Sequence, residues 1–113
     1  MITEGIEAVF LETRNWGRTA KFLRELGYEI DFETDHNSGQ FRSAQGPYIF
    51  VAEVPASREP STKLVLKVAN ADQRPGEGVE IVNEFEDTHY GTQEMTVRDP
   101  DGRLWALQAP GKE

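Results

Sequence analysis

Apolar and polar positions alternate along most of this chain. Residues 6–13 carry Ala8 and Phe10 on one side and Val9 and Leu11 on the other, the pattern of a strand buried on both faces. From Trp16 the spacing changes. Trp16, Ala20, Phe22, Leu23 and Leu26 recur at three, four and seven residues, which predicts a helix over 16–26 with Lys21, Arg24 and Glu25 on its wet side. Asn15 is its expected N-cap and Gly27 its expected stop. Period two returns in Tyr28, Ile30 and Phe32, set against Glu29, Asp31 and Glu33. The run Asp35-His36-Asn37-Ser38-Gly39 reads as a turn, because Asn and Gly tolerate left-handed backbone. Strands are expected over 40–45 and 48–54, split by Gly46-Pro47. The first half is therefore β-α-β-β-β.

Residues 55–62, with two prolines and two serines, read as a surface linker. Strands are expected over 63–69, 79–85, 93–98 and 103–108. The last two are joined by Asp99-Pro100-Asp101-Gly102, a strong hairpin turn. The second half matches the first except that nine residues, 70–78, stand where the helix should be. They include Pro75, Gly76 and Gly78, so one helical turn is the most they hold. Nine extended residues reach about 30 Å, and crossing three strand gaps needs only about 14 Å. The connector can therefore span a four-stranded layer unaided. The expected architecture is α+β: one domain of residues 1–113, with two βαβββ-type modules, about 1–54 and 63–113, forming curved mixed sheets and the second-module helix shortened or absent.

Composition narrows the partners. Twelve Lys and Arg against 20 Asp and Glu give a net charge of −8. That argues against nucleic acid or an anionic membrane as partner, since both require a basic face. It favours cationic or neutral ligands. Eleven aromatics are too many for a disordered chain. No apolar run approaches the roughly 20 residues of a membrane span. No signal peptide is visible and there is no cysteine. A cytoplasmic location is the expectation.

Two β-α-β-β-β modules in this length resemble the vicinal oxygen chelate superfamily, which includes glyoxalase I, extradiol dioxygenases and the bleomycin- and fosfomycin-resistance proteins. The helix end Phe22-Leu23-Arg24-Glu25-Leu26-Gly27-Tyr28 resembles the superfamily's pattern. So does the closing stretch Thr88-His89-Tyr90-Gly91-Thr92 followed by Val97-Arg98-Asp99-Pro100-Asp101-Gly102. The resemblance implies a cavity enclosed by the two modules and, in metal-dependent members, four ligands. By position these fall on Glu7, Glu53, Lys63 and Ala106. An ammonium and a methyl group cannot ligate a cation, so no metal or other cofactor is expected. His36, in a turn, and His89, before the Tyr90-Gly91 loop, read as surface residues. Ser38, Ser43, Ser57 and Ser61 lack a nucleophile elbow, and no catalytic residue is assigned.

The resulting expectation is a metal-independent protein of the resistance type. It would sequester a small organic molecule, cationic or neutral, in a pocket of Glu7, Val9, Leu11, Val51, Glu53, Lys63 and Val65. Whether Val51 or Glu53 faces the cavity depends on strand register. The alternative is a glyoxalase- or dioxygenase-like enzyme with a divergent divalent metal site using Glu7, Glu53 and His89. A third reading is a partner-binding domain with Phe41 and Phe50 filling the pocket. The first-module helix is expected over Ala8 and Phe10. The matching second-module face would carry Leu64, Leu66, Val68, Trp105 and Leu107, apolar although their helix is missing. A second copy of the chain in a homodimer, or a compact turn over 71–75, is expected to cover it.

Overall fold

The computed structural model describes residues 1–111. Among them are eight strands and one helix: β1 (Thr3–Thr13), α1 (Trp16–Glu25), β2 (Glu29–Glu33), β3 (Ser38–Arg42), β4 (Tyr48–Glu53), β5 (Thr62–Val68), β6 (Glu80–Asp87), β7 (Thr92–Arg98) and β8 (Leu104–Pro110). The expected element order is all present, and the fold class is α+β. The chain forms two compact units. The first is Ala8–Thr62. The second joins Met1–Glu7 to the chain from Lys63 onward. The boundary falls inside β1 rather than in the linker, because residues 55–62 are tied to the first unit. Glu12 accepts from Arg58 Nη2 at 2.8 Å and from Ser61 Oγ at 2.9 Å, and Arg14 Nε donates to the Arg58 carbonyl.

In the first unit the strand order is β2-β3-β4-β1. β1 and β4 run parallel, with Leu11 beside Val51 and Phe10 beside Phe50. The other pairs are antiparallel. Parallel partners need a crossover, and α1 supplies it. Asn15 starts the helix: its side chain accepts from the Arg18 N–H at 3.0 Å. Gly27, at φ 101°, ends it in backbone that glycine adopts without strain. Asn37 turns the chain between β2 and β3 at φ 55°, as its side chain allows. Ala20 and Leu23 of α1 pack with Phe41 and Val51, and Leu11, Trp16, Tyr28, Ile30 and Ile49 close around them.

That core corrects the expected faces of β1. Leu11 lies beneath α1, with Val9 on its side by alternation, while Ala8 and Phe10 face away from the helix. The reason is the pleat: a one-residue change of phase exchanges the two faces. A strand apolar at both parities gives no sign of which phase is right.

The second unit repeats the plan as β5-β8-β7-β6, with β5 parallel to β8 and the rest antiparallel. β5 and β6 stand at opposite ends of this order, so the connector crosses the whole layer without a helix. Val68, Met95, Leu107 and Ala109 form the buried cluster, and Leu66, Ile81, Phe85 and Val97 pack around it. Ala71 of the connector packs against the same cluster, so a compact turn takes part of the missing helix's place. Arg74 holds both carboxylate oxygens of Glu84 at 2.7 and 2.9 Å, anchoring the connector to β6 and lowering that carboxyl's pKa. In the hairpin turn, Asp99 Oδ2 accepts from Trp105 Nε1 at 2.9 Å and Arg103 Nε at 2.8 Å. Oδ1 accepts the backbone N–H groups of Asp101 and Arg103. Led by the Trp105 hydrogen bond, these donors hold the Asp99 carboxyl far below its ordinary range.

Two outcomes are expected from unfolding measurements. A Cβ added at Gly39 would stand 2.6 Å from the Phe32 carbonyl oxygen and 2.9 Å from the Trp16 ring. Gly39→Ala should therefore cost about 1–3 kcal/mol in urea denaturation. The ionised Asp99 stabilises the fold above its ordinary pKa of 3.8, and that contribution fades as pH falls below this value. Asp99→Asn should lower the urea midpoint at pH 7, and the gap to the unmodified protein should narrow between pH 4 and pH 2.5. A gap that stays constant across that range would refute the assignment.

Candidate functional site

The expected pocket residues fall into different roles. Leu11 packs beneath α1 and Val51 is fully buried there, so Val51 has no surface to offer a ligand. Val9 shares their face beside Ile49. Glu53 caps the helix. Its Oε1 accepts the Trp16 N–H at 2.9 Å, and its Oε2 accepts from Asn37 Nδ2 at 3.1 Å. A carboxylate here meets the unpaired N–H groups and positive end of the first helical turn. In the second unit Val65 is buried beside Ala106. Lys63 lies 3.8 Å from Glu94 Oε1, both side chains mostly covered. Glu7 lines a small cavity near the ends of β5 and β8. Of the seven, the structure brings Leu11 and Val51 together in the core and leaves the rest in these separate settings.

The first unit carries its own candidate surface on the strand face away from α1. Phe10 of β1 and Phe50 of β4 stack with ring centroids 5.7 Å apart and planes 14° from parallel. Phe32 of β2 tilts against Phe50 at 6.3 Å and 52°. Phe32 remains 48% exposed. Beside it Asp31 accepts from Gln40 Nε2 at 2.9 Å and pairs with Arg42 at 3.3 Å. Sequence reasoning missed this cluster for a definite reason. Ile30 and Phe32 are two apart and should share a face, but the β2–β3 register shifts between them. The bulge leaves Ile30 under the helix and turns Phe32 to the other side. The one visible signal was a phenylalanine in each of three separate strands, β1, β2 and β4.

The second unit's face away from its buried cluster carries polar side chains around the buried Val65 and Ala106. Glu94 accepts from Tyr90 Oη at 2.9 Å and pairs with Lys63, and Gln108 stands opposite it across the β7–β8 ladder. Lys67 follows Lys63 and Val65 along β5. The cavity that Glu7 lines holds about 180 Å³. A larger, open depression of about 480 Å³ lies on the first unit between Arg24, Tyr28, Glu29, Ile30 and Glu33.

A divalent ion does not fit the positions that the resemblance marks. Glu53 is engaged at the helix start and Lys63 presents an ammonium. Ala106 is a buried methyl group with nothing to donate. Among the described residues no three His, Cys, Asp or Glu side chains converge. His36 sits exposed against Asp35, and His89 meets Tyr90 edge-on at 5.8 Å. The divergent metal site of Glu7, Glu53 and His89 therefore has no support in the donor set.

Glu53→Ala should destabilise the fold by about 1 kcal/mol, the usual cost of losing a helix cap. Glu53→Gln, which keeps an acceptor oxygen, should cost less. Equal losses in the two variants by urea denaturation would contradict the capping role.

No family model matches the chain, and no curated protein does. Solved structures do. A glyoxalase/bleomycin resistance protein/dioxygenase superfamily member from Vibrio splendidus 12B01 superimposes with a TM-score of 0.73 at 18% identity, over 90% of this chain and 96% of that one. Methylmalonyl-CoA epimerase from Mycobacterium tuberculosis gives 0.74 at 15% identity, over 97% and 90%. The Mn(II)-bound glyoxalase from Novosphingobium aromaticivorans gives 0.67 at 15%, over 98% of this chain and 41% of that one. These neighbours differ in activity, so they speak to fold rather than to function. The chain has the fold of the glyoxalase/bleomycin resistance/dioxygenase superfamily.

Proposed function

We propose that the protein is a metal-independent small-molecule-binding protein that holds a flat aromatic ligand, cationic or neutral, against the Phe10–Phe50–Phe32 cluster. The observation that carries this reading is the near-parallel Phe10–Phe50 stack with a tilted, half-exposed Phe32 beside it. Apolar side chains that only fill a core end up covered, as Phe41 does under α1. Phe32 instead leaves ring surface in water, where a planar guest can stack edge-on or offset. A cation would gain further from the ring faces, and the net charge of −8 favours its approach. Sequestration of the resistance type requires no catalytic group and no metal ligand. Asp31 adds polar character at the edge of the cluster but is already paired with Arg42, so stacking carries the affinity.

The test is a fluorescence titration with N-methylquinolinium as the flat cation and quinoline as its neutral counterpart. Saturable binding is expected, weakened about tenfold in Phe32→Ala, since one lost aromatic stack costs on the order of 1–3 kcal/mol. Phe32→Tyr should bind as the unmodified protein does, and EDTA should change nothing. Undiminished binding in Phe32→Ala, or binding that collapses with EDTA, would overturn the proposal.

A further inference from the structure

The second unit contains an arrangement that the aromatic cluster does not account for. Glu7, Lys67, Thr92, Gln108, Ala109 and Pro110 line one cavity of about 180 Å³. Two of the lining residues carry opposite charges. Neither the Glu7 carboxylate nor the Lys67 ammonium makes a hydrogen bond or ion pair among the described residues, and the same is true of the Gln108 carboxamide. The contrast lies on the same strands. Lys63, two turns of the pleat before Lys67, pairs with Glu94. Thr92 is also satisfied, its hydroxyl 2.9 Å from that of Thr88.

Opposite charges that border one cavity without bridging it leave room for something between them. A direct ion pair would neutralise both groups and close the gap. A ligand that is only a cation would answer Glu7 and leave Lys67 uncompensated, and an anion would do the reverse. Either answers only one of the two charges that border the cavity, the half-buried Glu7 or the exposed Lys67. A molecule with both charges answers both. Gln108 adds one donor and one acceptor to the same space. The volume sets the size: at about 180 Å³ the cavity lies below the roughly 300–1,000 Å³ of sites for drug-sized ligands. Pro110 offers a short apolar edge to a few methylene groups.

We propose that this cavity binds a small zwitterion of amino-acid size, its ammonium on Glu7 and its carboxylate on Lys67 and Gln108. No residue of the aromatic cluster lines the cavity, so this site stands independently of the function proposed above.

The experiment is an NMR titration of the ¹⁵N-labelled full chain with glycine, β-alanine and γ-aminobutyrate. Propionate and ethylammonium serve as single-charge controls. At least one zwitterion is expected to shift the Lys67, Thr92 and Gln108 amides saturably, with both controls binding at least tenfold more weakly. Lys67→Met and Glu7→Gln should each weaken the zwitterion about tenfold, the scale of one charged hydrogen bond. Their otherwise unchanged spectra would report intact folds. The proposal is overturned if no zwitterion in the set shifts these amides, if propionate or ethylammonium binds as tightly, or if both variants bind like the unmodified protein.

Discussion

Parallel pairing of the first and last strand of each module is the constraint on which the rest of this structure depends. Leu11 beside Val51 in one unit, and Leu66 beside Leu107 in the other, can be adjacent only if the chain crosses the layer between them. In the first unit that crossing is α1, which then determines which side of β1 and β4 is dry. In the second it is a short connector held by Arg74 on Glu84 and by Ala71 on the buried cluster. The same topology thus has two solutions, one with a helix's apolar stripe and one with little more than a turn.

Once α1 claims one face, the chemistry of the other follows. Phe10, Phe32 and Phe50 gather on the face the helix does not cover, and Glu53, on the helix side, becomes a cap. In the second unit charged groups surround the buried Val65 and Ala106, with Lys63 on Glu94 and the unbridged Glu7 and Lys67. The two units share a plan and present different surfaces, aromatic in one and charged in the other. Three of the positions that the resemblance marks for metal ligands carry a cap, an ammonium and a methyl group here.

Much of the fold was legible in the sequence because its signals are local. Asn15 and Gly27 bracket the helix by their own backbone chemistry. Asn37 and the Asp99 turn do the same for hairpins, and Pro75 with its glycines excludes a second helix. The candidate site was less legible because its signals are not local. Phe10, Phe32 and Phe50 meet only after β1 pairs with β4 and the bulge in β2 reverses Phe32. Lys63 was visible as a charge near a strand start, but its partner, Glu94, lies on a strand that only the sheet order brings near.

The sequence by itself determined the element order, the repeat of the module, the absent helix and the turns, since each rests on spacing within a few residues. Only the tertiary structure decided which face of each strand is which. Strands such as β1 are apolar at both parities, so alternation has no phase until a neighbour covers one side. That single choice put Val51 and Leu11 beneath the helix, and Phe10 and Phe50 on the opposite face.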